Sequence, residues 1–146
     1  MIDLRIKELF FDRPMVARAV NKAKRGVLSR AGAFIRQAAR TSIRKRQGTS
    51  SPGSPPYSHT GLLRRFILFG YDRGTDSVVV GPVRLNKPGE APRVLELGGT
   101  TVIEQRVRGR RVRARARIQR RPYMGPAMEK ELPKFPALWR NSIRPG

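Results

Sequence analysis

The sequence predicts an α+β fold: a long N-terminal helix, a mostly antiparallel sheet of two hairpins, and a C-terminal helix packed on that sheet. Three observations carry the prediction. Apolar residues recur at helical spacing through the first third of the chain. Two stretches of β-branched and alternating residues then fold back on themselves. The last segment returns to helical spacing, broken by prolines. At 146 residues the chain forms one domain, 1–146, with one modest core.

Residues 1–13 form a mixed arm in which Leu4, Leu9, Phe10 and Phe11 can dock on a core or on a neighbouring subunit. Pro14 suits a first helical turn, where its missing N–H costs nothing, and Asp12 suits the positive end of the helix dipole. From Met15 to about Arg46, residues Val16, Val20, Ala23, Val27, Ala31, Phe34 and Ala38 make one apolar stripe. Arg18, Lys22, Arg25, Ser29, Arg36 and Arg40 mark the opposite face, read as a solvated basic surface. Gly26 and Gly32 each weaken the helix by about 1 kcal/mol relative to alanine, and allow close packing or a bend.

Residues 47–60 read as a flexible linker, since Pro52, Pro55 and Pro56 forbid regular structure and Gly48 and Gly53 loosen it. Gly61 to Tyr71 reads as a turn entering a strand that holds Phe66, Ile67, Leu68 and Phe69. The turn Asp72 to Asp76 and the strand Ser77 to Gly81 complete the first hairpin. Residues 82–90, with Pro82, Asn86, Pro88 and Gly89, form a second loop. Ala91 to Leu97 is a short helix opened by Pro92 and closed by Gly98.

The second hairpin, 100–120, pairs Thr100 to Val107 with Arg111 to Gln119 around Gly109. Its second arm alternates strictly: Val112, Ala114, Ala116 and Ile118 point one way, and Arg111, Arg113, Arg115 and Arg117 the other. Pro122 ends the sheet. Residues 123–142 form the C-terminal helix, interrupted at Pro133 and Pro136, with Met124, Met128, Leu132, Phe135, Leu138 and Trp139 on its apolar side. Phe135 and Trp139 are core or subunit-contact anchors.

Charge narrows the function. Lysine and arginine total 32 against 10 acidic residues, a formal net charge of +22. A surplus of that size repels itself unless something neutralises it, which points to a polyanionic partner, nucleic acid before an acidic protein. The arginine row 111–117 is the sharpest chemical feature. Alternate strand residues stand about 7 Å apart, so the row can follow phosphates by charge without reading bases. Arg108, Arg110, Arg120 and Arg121 extend the field, and Glu104 alone opposes it locally. A solvated edge hairpin, charged against aggregation, is the plainer account of the same residues. With no aromatic interleaved, base stacking of the single-strand kind is not expected.

Other chemistry finds little support. The absence of cysteine excludes disulfides and thiolate metal sites. His59 is the one histidine, and no carboxylate pattern supplies it with a catalytic partner, so neither enzyme activity, a cofactor nor a metal is expected. His59-Thr60-Gly61 reads as a loop whose hydroxyl caps the next element. Gly98-Gly99-Thr100 lacks the spacing of a phosphate-binding loop and reads as a tight turn. No apolar run reaches the roughly 18 residues of a membrane span, and the N-terminus lacks the features of a secretory signal. Synthesis in the cytoplasm is expected.

Four motifs fall in a telling order. They are Pro55-Pro56 with Thr60-Gly61-Leu62-Leu63-Arg64; Val80-Gly81; Ala91-Pro92-Arg93-Val94-Leu95-Glu96-Leu97-Gly98-Gly99-Thr100; and Arg121-Pro122-Tyr123-Met124-Gly125-Pro126-Ala127. The series, over about residues 49–130, resembles the neck (minor tail, tail-completion) proteins of long-tailed double-stranded DNA phages. Two features depart from that pattern: the extra glycine at Gly98-Gly99 and the arginine-rich hairpin.

The resemblance implies a structural protein of the virion, made in the host cytoplasm. It would form a cyclic homo-oligomer at the head–tail junction, joining the head-closure or connector protein to the tail terminator or tail tube. Double-stranded DNA would pass through its lumen, and no membrane is involved. Arg108, Arg110, Arg111, Arg113, Arg115, Arg117, Arg120 and Arg121 would contact DNA or a partner ring. Residues 1–13 and the 47–60 loop, with Pro52, Pro55, Pro56, Tyr57 and His59, would reach neighbouring subunits. The competing reading is a stand-alone basic nucleic-acid-binding protein of ribosomal or nucleoid-associated type. A nuclease is a distant third.

Overall fold

Asp12 opens the first helix. Its side chain accepts from the Met15 backbone N–H at 2.9 Å, and Pro14 follows in the first turn. The structure, a computed structural model, describes residues 12–83 and 91–144. Helix α1 runs Arg13–Ser42, about 45 Å of rise. At its end the Thr41 and Ser42 hydroxyls turn back onto the carbonyls of Ala38 and Ala39, and Ile43 is already extended. The expected arm at Leu4, Leu9, Phe10 and Phe11, and the loop residues Asn86, Pro88 and Gly89, lie outside the described residues.

The buried face of α1 consists of Ala23, Val27, Ala31, Gly32, Ile35, Ala38 and Ala39. The apolar stripe read from the sequence is right at four positions and wrong at Phe34, which is exposed. Ile35 takes the inward place. Small residues fill most of this face, so other elements approach the helix backbone closely. Val16 and Val20 are also exposed, and no residue of α1 before Ala23 is buried.

After α1 the chain runs through 43–61 to a single helical turn, α2 (Leu62–Arg65), where the sequence had read strand entry. Gly61 lies in the left-handed region at φ 78°. The Arg65 and Phe66 N–H groups donate to the carbonyls of Gly61 and Leu62, so helical bonds claim Phe66 before the strand begins. Strands β1 (Ile67–Asp72) and β2 (Ser77–Pro82) pair antiparallel, with Phe69 opposite Val80 and Tyr71 opposite Val78. This hairpin lies across α1. Arg36 is not simply solvated: its Nε donates to the Ile67 carbonyl at 2.8 Å and pins β1 to the helix.

Helix α3 (Ala91–Leu97) leads into β3 (Gly99–Val107) and β4 (Arg110–Ile118), an antiparallel pair. The two hairpins form separate two-stranded sheets, not one sheet. The C-terminal segment comprises α4 (Met124–Glu131), a 3-10 turn (Leu132–Lys134) and α5 (Phe135–Trp139), with breaks where prolines remove backbone donors. It packs along α1, not on a sheet face as expected. The α+β class stands, with the helix as the platform on which the other elements meet.

Ile35, Ala38, Ala39, Ile43, Ile67, Tyr123 and Ala127 form the core, flanked by Leu63, Val80, Leu95, Met124 and Phe135. Ile43, Ile67 and Tyr123 are sealed from solvent, and each contributes about 1.5–3 kcal/mol by burial. The core therefore sits at the C-terminal half of α1, where six other elements converge.

Candidate functional site

The β3–β4 hairpin leaves the body through a tight base. Gly98 (φ 77°) and Gly99 (φ 137°) both adopt backbone conformations that side chains disfavour, and the Gly98 N–H closes α3 by donating to the Val94 carbonyl at 2.8 Å. A Cβ on Gly98 would also stand 3.2 Å from the Arg120 nitrogen. The additional glycine thus fits a turn in which neither position tolerates a side chain. On the returning strand, the Arg121 N–H donates to the Leu95 carbonyl at 2.6 Å.

Beyond this base the hairpin's main neighbour among the described residues is α3. Its tip is a two-residue turn, Arg108 (φ 48°) and Gly109 (φ 80°), both left-handed, which matches the twist of the paired strands. That turn sets the register. Thr100 faces Arg117, Val102 faces Arg115, Glu104 faces Arg113 and Arg106 faces Arg111. Residues paired across antiparallel strands share a face. One face therefore carries Arg106, Arg111, Arg113, Arg115 and Arg117. The other carries Ile103, Val107, Val112, Ala114, Ala116 and Ile118.

All five arginines of the first face are exposed. Glu104 engages one of them, with Arg113 Nε at 3.1 Å from its carboxylate. The opposite face is open toward the tip, where Val112 is 44% and Val107 50% exposed. A two-stranded ribbon with both faces in water is marginal by itself.

The structure sorts the sequence candidates. Arg111, Arg113, Arg115 and Arg117 stand together as the alternation requires. Arg106 joins them, a residue the sequence reading omitted; the two-residue turn around Gly109 fixes the register that places it there. Arg110 pairs with Val107 and so belongs to the other face, and Arg108 sits in the turn. Arg120 is exposed beside Arg117, Leu97 and Pro52, around an open concavity at the hairpin base. Arg121 works within the body: its guanidinium donates to the carbonyls of Ser50 (2.9 Å) and Gln119 (3.1 Å).

The 47–60 segment has no helix or strand, but it is tied down at several points. Arg44 and Tyr57 form an isolated parallel bridge, the Ser58 N–H donates to the Arg44 carbonyl, and the Gly53 N–H donates to the Arg120 carbonyl. Pro56 is buried, Pro55 and Tyr57 are half-buried, and Pro52 and His59 are exposed. His59 Nε2 lies 2.7 Å from the Gly48 carbonyl. A carbonyl only accepts, so Nε2 carries the proton and the ring serves the loop.

Behind the hairpin, Glu96 organises the start of α4. One carboxylate oxygen accepts from the N–H groups of Tyr123 (2.8 Å) and Met124 (3.0 Å), and the other from Gly125 (2.7 Å). These are donors that the first turn of a helix leaves unpaired, and a carboxylate also suits the positive end of the dipole. Among the described residues no group of three or more potential metal ligands gathers, and no helix is long and apolar enough to cross a membrane. The chain matches no protein-family model, no curated protein and no solved structure.

Proposed function

We propose that this chain is a structural protein of the phage neck, assembled as a ring at the head–tail junction around the DNA channel. One observation carries the reading: two of the four motifs that resemble the neck family are joined by hydrogen bonds, and the second of them also holds the loop leading into a third. Glu96, from the Leu95-Glu96-Leu97-Gly98-Gly99-Thr100 segment, holds the backbone of the Arg121-Pro122-Tyr123 segment. Arg121 in turn holds Ser50, and the Arg120 carbonyl holds Gly53, both in the Pro/Gly loop. Segments that brace one another in this way fit a single working unit.

In this reading the body supplies repeated subunit contacts and the arginine hairpin faces a polyanion, either the DNA in the lumen or an acidic neighbouring ring. A cyclic assembly would use one heterologous contact around an axis. The test is the abundance of the chain in purified phage particles, measured by mass spectrometry with heads and tails separated. A fixed ring-like stoichiometry in the junction-bearing fraction is expected. Absence from particles removes the proposal.

The exposed arginine face also favours a second reading, a free nucleic-acid-binding protein. Tight, salt-sensitive binding by a monomer that never enters virions would decide for it.

A further inference from the structure

We propose that the arginine face of the β3–β4 hairpin is a sequence-independent contact for the backbone of double-stranded DNA. This builds on reading the hairpin as a polyanion contact and does not require the chain to sit in a neck.

Four observations select this ligand. First, a second copy of the chain is a poor electrostatic match for the face. The chain carries +22 with 10 carboxylates in all, and Glu104 already occupies one position of the ladder. Second, every cation from Gly99 to Arg121 is arginine, although lysines occur elsewhere in the chain. A charged edge serving only solubility has no need of the guanidinium, and lysine is its usual residue. The guanidinium fork matches a phosphate with two parallel bonds.

Third, the face lacks the parts of a protein-binding surface. Such surfaces centre on desolvated aromatic and aliphatic anchors. Here Val102 is the sole aliphatic group among the arginines, and no aromatic residue lies between Gly99 and Arg121. That absence also removes the stacking platform that single strands use. Fourth, the shape fits a duplex. Arg111 to Arg117 spans about 20 Å of strand. Duplex DNA presents one charge for roughly every 1.7 Å of its axis, a density high enough for a row of this length to meet several phosphates. The major groove of B-form DNA admits a two-stranded ribbon, whereas that of A-form RNA is too deep and narrow for side chains to read.

Ladder arginines are exposed, so they can be replaced without opening the core. The experiment measures binding of the full chain to a mixed-sequence DNA duplex by fluorescence anisotropy across a salt series. Three proteins are compared: the native chain, a ladder variant (R111Q, R113Q, R115Q and R117Q together), and a control that removes equal charge from exposed positions of α1 (R13Q, R18Q, K22Q and R30Q). Each lost phosphate contact removes about 0.9 from the slope of log affinity against log salt. The ladder variant is expected to lose about 3 to 4 of slope and more than about tenfold in affinity near physiological salt, and the control far less.

Equal loss in both variants would show diffuse attraction and overturn the proposal. So would equal affinity for single-stranded DNA, for duplex RNA, or for polyglutamate used as a competitor. R115E, a single change at an exposed site, repeats the test where the fourfold variant unfolds early in thermal denaturation. It is expected to weaken duplex binding more than the same reversal at Arg18, and equal weakening overturns the proposal. The outcomes stay separate from the neck reading. A chain that passes here but is absent from virions fails only as a neck protein. One that is present in the neck but indifferent to the ladder changes fails only here.

Discussion

The carboxylate of Glu96 lies 2.8 Å from the backbone nitrogen of Tyr123, a residue whose side chain is 1% exposed. With Met124 and Gly125, Tyr123 offers three N–H groups that no helical carbonyl can reach. Glu96→Ala leaves them without their acceptor and is expected to cost about 2–3 kcal/mol. Glu96→Gln, which keeps one accepting oxygen, should fall between. Urea unfolding monitored by circular dichroism measures both. Native stability in the alanine variant would mean that water replaces the carboxylate without cost.

The same contact affects behaviour in alkali. Burial, and secondarily the charge of Glu96, pushes the Tyr123 phenol from 10.0 up to about 12. A raised value means that the folded state holds the proton more tightly than the unfolded one. The associated stability is complete below pH 10.0 and is lost as pH rises through about 12. Tyr123 should therefore ionise near 12 in the folded chain and near 10.0 in the unfolded one. Tyr123→Phe removes the proton in question, and its stability should decline less across that window. Phenolate absorbance followed together with circular dichroism tests the coupling.

Gly32 and Gly26 look alike in the sequence but occupy different surroundings. A Cβ on Gly32 would stand 2.5 Å from Val78 Cγ2 and 3.0 Å from the Phe69 ring; a Cβ on Gly26 meets nothing within 4 Å. Gly32→Ala should destabilise by about 1–3 kcal/mol, because the first hairpin must lift off α1. Gly26→Ala should stabilise by about 0.5–1 kcal/mol through helix preference. Thermal midpoints of the two variants should move in opposite directions.

Asp76, in the turn between β1 and β2, joins that hairpin to α1. It accepts from Lys24 Nζ and from the Tyr71 hydroxyl, each at 2.5 Å. The Lys24 bond, then the Tyr71 bond, holds Asp76 below 3.8, so what it contributes is present above that pH and declines as pH falls through its folded-state value. Its hydrogen bond is the main cause that raises Tyr71 above 10.0. In Asp76→Asn, Tyr71 should ionise closer to 10.0. An unchanged titration would mean that desolvation holds the phenol up without help from the carboxylate.

Much of this architecture was legible because it is local. Asp12 and Pro14 mark a helix start, and the alternation from Arg111 to Ile118 marks a two-faced strand. Gly98 and Gly109 mark positions that need left-handed backbone. Apart from the local turn at Leu62–Arg65, whose helical bonds claim Phe66, the misreadings concern partners distant in sequence. Phe34 fits the helical stripe as well as Ile35 does, and only the location of β1 and α4 decides which turns inward. Arg36 reads as a surface cation until the Ile67 carbonyl, 31 residues away, is brought to it. Two hairpins in one chain look like one sheet, since strand pattern says nothing of which edges meet. At the candidate site, alternation revealed the arginine row. Arg106 became visible only when the turn fixed the register, and the role of Arg121 depended on a carbonyl 71 residues earlier in the chain.

The narrow base of the second hairpin has a consequence for descent. The chain leaves the body at Leu95 and Glu96 and returns at Arg121 and Tyr123, and direct bonds join departure to return. Everything between is a cassette, seated on a frame that closes beneath it. Insertions, deletions and exchanges of charge can accumulate there without disturbing Ile43, Ile67 or Tyr123. The body and the cassette are thus free to evolve at different rates, the one held by packing and the other by whatever lies across from its arginines.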